Sequence, residues 1–187
     1  MILHIKNMVC DRCIMVVRQQ LENLNFEVKD ITLGKATVGP DAGESQLLEI
    51  ASSLKLMGFE LIDNEKQRLV EHIKNLIIQE VHYTDLSKNH INFSALLSAK
   101  LLKDYAYLSR LFSEYEDITI EKFIIQQKVE KVKELMQYGQ LNLNEIAYQM
   151  GYSSSAHLSA QFKNITGLTP SQYKNIEKNE RKPLDKI

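Results

Sequence analysis

Residues 141–174 read LNLNEIAYQMGYSSSAHLSAQFKNITGLTPSQYK, and this stretch divides into two helices with a tight turn between them. Asn142 or Asn144 can cap the first helix, which places Leu143, Ile146, Ala147 and Met150 on one face. Ala147 is small where a crossing helix must come close. Gly151 stands where the chain must turn, in a left-handed backbone that only glycine adopts without cost. The serines 153–155 offer side-chain oxygens to the free N–H groups that open the second helix. That helix turns Leu158, Phe162 and Ile165 inward. Ser154, Ser155, His157, Ala160, Gln161 and Lys163 are left on the outside. A short second helix with a polar outer face, held at a fixed angle by a tight turn, is a device that enters the major groove of duplex DNA.

Ile146-Ala147, Gly151-Tyr152, Phe162-Lys163, Gly167-Leu168-Thr169-Pro170 and Tyr173-Lys174 resemble the C-terminal signature of AraC-type transcription regulators. That resemblance implies two helix-turn-helix units joined by a long helix. It also implies double-stranded DNA as partner, with the chain as monomer or homodimer, and it leaves room for an RNA polymerase contact. A second unit is therefore expected upstream, and the residues supply one. Asn92-Phe93-Ser94 opens a helix with Leu96, Leu97 and Leu101 inward. After Lys103, Asp104 can cap a helix from Tyr105 to Tyr115 with Leu108, Leu111, Phe112 and Tyr115 apolar. Tyr107-Leu108-Ser109-Arg110-Leu111-Phe112 is similar to the family's recognition-helix pattern, although Leu102-Lys103 stand in the usual glycine region. Tyr105, Ala106, Ser109, Arg110 and Ser113 are the candidate DNA-facing residues here. Arginine is the commonest bidentate partner of guanine, and the alternative for Arg110 is a solvated surface side chain.

Between the units, residues 119–137 read as one helix of roughly 27 Å at 1.5 Å per residue. Phe123, Ile124, Val129, Val132, Leu135 and Met136 form its expected buried face, and Lys128, Lys131 and Lys133 its expected exposed one. Such a spacer suits recognition helices entering major grooves about 34 Å apart. Residues 65–82 form a further amphipathic helix with Leu69, Val70, Ile73, Leu76, Ile77 and Val81 in a wide stripe, read as core packing rather than a dimer seam. Residues 83–92 read as a polar loop.

Upstream of residue 65 the period changes. Ile2–Lys6 alternates as a strand, residues 11–25 form a helix (Ile14, Val17, Leu21, Leu24), and 26–33 and 35–38 pair around Gly34. Residues 44–57 form a second helix (Leu47, Ile50, Ala51, Leu54), and 59–62 a last strand. The order βαββαβ is that of the ferredoxin-like sandwich. The expected class is therefore α+β: a ferredoxin-like domain over 1–64, an all-α domain with two helix-turn-helix units over 65–175, and a charged, frayed tail over 176–187.

Cys10 and Cys13 lie where the first strand meets the first helix, and a helix N-terminus favours thiolates. Two thiolates at this spacing can converge on one soft ion such as Cu(I), or supply half of a Zn(II) shell. Asn7-Met8-Val9-Cys10-Asp11-Arg12-Cys13, with Gly58-Phe59, resembles the Met-x-Cys-x-x-Cys loop of heavy-metal-associated domains; Asn7 replaces the usual glycine. The resemblance implies Cu(I) ahead of Zn(II) as ligand, with no other cofactor. A thiol redox pair and a metal loop that no longer binds remain as alternatives. His4 reads as a surface strand residue, and His72, His82 and His90 as structural.

Charge says little about a nucleic-acid partner: the chain is −1 in total, and residues 1–64 carry six Lys/Arg against nine Asp/Glu. No apolar run approaches the ~20 residues of a membrane span, and no signal peptide opens the sequence, so a reducing cytoplasm is expected. No phosphate-binding glycine loop, nucleophile elbow or carboxylate pair suggests an enzyme. The competing classes are a soft-metal carrier whose helical half docks a protein, and a Cys-x-x-Cys oxidoreductase.

Overall fold

A computed structural model describes residues 1–84, 86, 91–175 and 181–187. The chain forms two compact units, Met1–Asn75 and Leu76–Ile187. In the first, β1 (Ile2–Lys6), α1 (Asp11–Asn23), β2 (Glu27–Thr32), β3 (Lys35–Gly39), α2 (Glu44–Leu56) and β4 (Glu60–Leu61) follow in the order read from the sequence. The antiparallel sheet runs β2-β3-β1-β4, so each helix crosses between strands that are not sheet neighbours. Leu3 and Ile5, alternate residues of β1, cluster with Val17 and Leu21 of α1 and with Ile50 and Leu54 of α2. Both helices therefore cover the same sheet face, which is what a period-two strand with one apolar side requires.

Helix α3 (Glu65–Tyr83) carries the chain from one unit to the other. Val70, Ile73, Ile77, Ile78 and Val81 are buried along it. Part of the expected polar loop, residues 85 and 87–90, including His90, lies outside the described residues.

The second unit holds α4 (Phe93–Leu101), α5 (Tyr105–Glu116), α6 (Ile120–Tyr138), α7 (Leu143–Gln149), α8 (Ser155–Thr166) and α9 (Pro170–Lys174). Asn92, Asp104, Thr119, Asn142, Ser154 and Thr169 each accept a backbone N–H at the start of a helix, which satisfies donors that the helix itself cannot pair. Phe112 and Phe123 meet at 5.5 Å between ring centres, and Phe162 and Tyr173 meet edge-on at 5.4 Å. These contacts fasten α5 to α6 and α8 to α9.

Four details differ from the sequence reading. First, the lysines of α6 are not a solvated face. Lys133 is 7% exposed and pairs with buried Glu130 at 2.6 Å. Lys131 pairs with Glu134 at 2.8 Å, and half-buried Lys128 donates to the Met150 carbonyl. Second, Ile165 and Tyr115, read as apolar packing residues, are each 36% exposed because each lies in the last turn of its helix. Third, the tail read as frayed returns to α6: Arg181 pairs with Glu134 at 2.8 Å, and Gln127 donates to the Leu184 carbonyl. The Lys182 N–H also bonds Glu130, and residues 176–180 lie outside the described residues. Fourth, the 141–174 stretch holds a third helix, α9, beyond the two expected; Thr169 as cap, Pro170 at the first position and Gln172 closing a capping box announce it.

The two turns solve one steric problem differently. Gly151 takes φ +68, and a Cβ there would stand 3.4 Å from the Leu86 carbonyl oxygen. In the upstream unit, Leu102 takes φ 53 itself, with its side chain 86% exposed. The turn forms without glycine, at a cost of about 1–2 kcal/mol.

His82 is buried, and one ring nitrogen lies 2.9 Å from Gln127 Oε1. Burial pushes its pKa from 6.5 down to about 4, against the opposing hydrogen bond that the ring donates to Gln127. A histidine whose folded-state pKa is depressed contributes stability above the unfolded value, and that stability is lost as pH falls through the window between the two. The expected result is an acid arm in the stability curve from about pH 6.5 towards 4, worth about 3 kcal/mol. It should be flatter in His82→Gln. Chemical denaturation across that range checks it, and equal slopes for both proteins would remove His82 as the cause.

Candidate nucleic-acid interface and thiol pair

The outward side of α5 is set by its cap and its core. Asp104 fixes the first turn by accepting the Ala106 N–H at 2.8 Å. Leu108, Leu111 and Phe112 are buried, which leaves Ala106 and Arg110 exposed, with Ser109 and Ser113 half-buried beside them. Four of the five candidates thus share one side of the helix. Tyr105 differs: its hydroxyl donates to Glu121 Oε1 at 2.5 Å, joining the start of α5 to the start of α6. Burial and that carboxylate hold the phenol well above its usual pKa. The Tyr105 hydrogen bond in turn lowers Glu121. Tyr105 is occupied as a strut, while the Arg110 guanidinium extends from an exposed position.

On α8, Ser154 is the cap and its Oγ accepts the His157 N–H at 3.1 Å. Ser155 is half-buried, and its carbonyl accepts the Ser159 hydroxyl. His157, Ala160 and Lys163 are exposed and Gln161 is half-buried, all opposite buried Leu158 and Phe162. The structure therefore brings His157, Ala160, Gln161 and Lys163 together on one open side. One face of His157 is already engaged. Its Nδ1 lies 3.0 Å from Ser153 Oγ, and its ring stands edge-on to Tyr152 at 5.5 Å. Ser153, Tyr152 and Lys128 were not among the sequence candidates. Lys128 could have been found, because it falls four residues after Ile124 and four before Val132, in register with the buried stripe.

In the first unit, Cys10 is the residue preceding α1, and the Cys13 N–H donates to its carbonyl at 2.9 Å. The two Sγ atoms lie 3.3 Å apart and both residues are partly exposed. Burial would raise Cys10, but hydrogen bonds from Cys13 and the Arg12 backbone, together with the Arg12 charge, outweigh it and hold the thiol below its ordinary pKa. Burial raises Cys13, helped by the hydrogen bond with Cys10 and the Cys10 charge. Met8 is fully buried. Asn7 adopts φ 71 and donates through Nδ2 to the Gly58 carbonyl at 2.9 Å, tying the loop to the turn after α2. Asparagine tolerates the left-handed region better than most residues, so it can stand where the resemblance expects glycine.

The donor set limits what the pair can hold. Among the described residues no group of three His, Cys, Asp or Glu side chains converges. At ~2.3 Å per bond two sulfurs lie about 3.8 Å apart on a tetrahedral ion and about 4.6 Å apart on a linear one, so the pair must open by about half an ångström for the first and by more than one for the second. Two soft donors fit a low-coordinate soft ion and do not close a four-ligand zinc shell.

The family described as a helix-turn-helix domain matches residues 97–176. The Msm operon regulatory protein of Streptococcus mutans is 30% identical over 84 residues, 44% of this chain and 30% of that protein. An uncharacterized HTH-type transcriptional regulator of Bacillus subtilis, YdeC, is 22% identical over 70% of this chain and 44% of its own length. One from Staphylococcus aureus is 26% identical over 81% of this chain but 22% of its own. The chain thus spans less than half of each of these relatives. A solved structure, the C-terminal domain of AraT, a response regulator from Geobacillus stearothermophilus, aligns with 59% of this chain and 87% of its own at 24% identity and a TM-score of 0.49. No described helix is long and apolar enough to cross a membrane. Residues 97–176 therefore carry a helix-turn-helix domain of the kind found in HTH-type transcriptional regulators.

Proposed function

We propose that the chain is an AraC-type, sequence-specific regulator that binds double-stranded DNA through α5 and α8, each reading a major groove. The observation that carries this is the arrangement of the second unit. Two capped second helices with polar outer sides, α5 and α8, both pack on one intervening helix of 19 residues, α6. At 1.5 Å per residue α6 spans about 28 Å, close to the ~34 Å between successive turns of the groove. Arg110, Ser109, Ala106 and Ser113 would read one half-site, and His157, Ala160, Gln161 and Lys163 the other. The protein acts as a binder rather than an enzyme, in the cytoplasm, as monomer or homodimer, with RNA polymerase as a candidate second partner.

The first unit, a ferredoxin-like βαββαβ domain on this reading, would hold one soft metal ion between Cys10 and Cys13. Bound there, the ion supplies the signal that modulates DNA binding. The 3.3 Å sulfur pair and its lack of a third ligand among the described residues support Cu(I) ahead of Zn(II).

The test is selection from a random duplex library, followed by titration of the selected duplex. The expected result is an affinity that falls steeply as salt rises, because phosphate contacts release counterions. Arg110→Ala is expected to weaken the selected duplex by about 5- to 150-fold and to relax preference at one position. A library that yields no enriched sequence, or salt-independent binding, would overturn the reading.

A further inference from the structure

The side chain best placed to set where α8 points belongs to neither helix of the second helix-turn-helix pair. Lys128 is on α6, on its buried stripe. Its Nζ donates to the Met150 carbonyl at 3.1 Å, and Met150 caps the C-terminal end of α7. The carbonyls at a helix end have no partner within the helix, and the end carries partial negative charge. An ammonium there satisfies both demands at once. The same Nζ lies 5.3 Å from the centre of the Tyr152 ring, within cation–π range.

Tyr152 is the residue after Gly151, in the turn itself. Its N–H donates to the Ala147 carbonyl at 2.8 Å, so its backbone is locked to α7. Its hydroxyl is buried without a partner among the described residues. The tyrosine is therefore not kept there by a bond from its oxygen. Its ring has the Lys128 ammonium over it and meets the His157 ring at right angles. A continuous chain of contacts thus runs from α6 through the α7–α8 turn to the first turn of α8.

We infer that Lys128 is a positioning residue. By fixing the Met150 carbonyl and the Tyr152 ring it sets the orientation of His157, and with it the base-reading side of α8. It contacts no DNA in this role. Its loss lowers discrimination between sequences and leaves the phosphate-driven part of binding intact. The inference about selectivity rests on the DNA-binding reading; the part concerning His157 does not.

The experiment uses the full chain with Lys128→Met, which keeps the apolar stem and removes the charge, Lys128→Arg, which keeps charge and donor, and Tyr152→Leu, which keeps the lysine bond and removes the ring. Each is compared with wild type in two ways. In NMR spectra without DNA, the His157 ring resonances are expected to move in Lys128→Met and Tyr152→Leu, and to return towards wild type in Lys128→Arg. In binding, Lys128→Met is expected to lower the ratio of selected to unrelated duplex affinity by about tenfold, the worth of one good base contact, with the salt slope unchanged. Arginine is expected to restore most of that ratio.

Unmoved His157 resonances in Lys128→Met overturn the inference. So does a salt slope reduced by about one, which would make Lys128 a phosphate contact instead. An arginine variant as poor as the methionine one also overturns it. If wild type selects no sequence, the DNA reading fails, and the NMR comparison still decides whether Lys128 positions His157. If Lys128→Met does not fold, Tyr152→Leu and Lys128→Arg decide it through the same resonances.

Discussion

Glu130→Ala is expected to cost about 3–5 kcal/mol, the usual penalty for removing one member of a buried ion pair. Glu130 and Lys133 lie one turn apart on α6, 2.6 Å from oxygen to nitrogen, with 5% and 8% of their side chains exposed. Without the carboxylate, the ammonium is left in a site with the Tyr173 ring 5.5 Å away and no other described anion paired to it. The second Glu130 oxygen also accepts the Lys182 N–H at 3.2 Å, so the contact of the tail with α6 weakens with it. At roughly 3 °C per kcal/mol for a chain of this size, the midpoint should fall by about 9–15 °C in a thermal melt followed by circular dichroism. The double variant Glu130→Met/Lys133→Leu separates charge from packing. Replacing both members by apolar groups of similar volume is often neutral or stabilising, so it should recover most of the loss. A loss under about 1 kcal/mol in the single variant would show that the pair behaves as a solvated surface pair.

That pair also marks where the sequence stops being legible. The order of elements, the caps at Asp104 and Asn142, and the glycine turn at Gly151 are local. Each follows from a residue type at a fixed offset, and each stands in the structure as read or as its signals allowed. The polar side of α6 is not local. Lys131 and Glu134, or Lys133 and Glu130, look the same in sequence whether water or protein covers them. The packing of other helices on α6, with the Tyr173 ring of α9 beside Lys133 and His82 of α3 beside Gln127, and the return of residues 181–187 bury them. Yet the signal was partly there, since Lys128 and Lys133 each follow an apolar residue, Ile124 and Val129, at helical spacing. A charged residue in register with a buried stripe is a candidate for a pair or a clamp, and charge alone misassigned it.

The candidate interface shows the same division. Periodicity placed Ala106, Arg110, Ala160 and Lys163 outward, as they are. It could not show that Tyr105 is spent on Glu121, or that Tyr152 and Ser153 grip His157. Those contacts join residues from different turns or different helices, and the spacing of side chains along one helix carries no trace of them.

The Cys10→Ser/Cys13→Ser double variant is expected to lose all thiol-dependent Cu(I) binding when the reduced protein is titrated anaerobically against a competing chelator. Serine keeps the size of the side chain but replaces a soft, readily ionised sulfur by a hard hydroxyl, so the site loses both donors with little change in packing. Both residues are only partly buried, and the fold should be undisturbed in a thermal melt. Wild type should bind one equivalent of Cu(I), and bind Zn(II) far more weakly, because two sulfurs leave half of a zinc shell unfilled. Affinity should rise with pH, since the metal competes with protons for the thiolates. Each single variant retains one sulfur and should fall well below wild type without matching the double variant. Binding that survives the double variant would place the metal elsewhere and remove the pair from the proposed function. The same protein samples then test the link between the units. If DNA affinity of wild type is the same with and without one equivalent of Cu(I), the thiol pair binds metal without governing regulation. If it shifts and the double variant does not, by linkage DNA must change Cu(I) affinity by the same factor, and that reciprocal measurement closes the cycle.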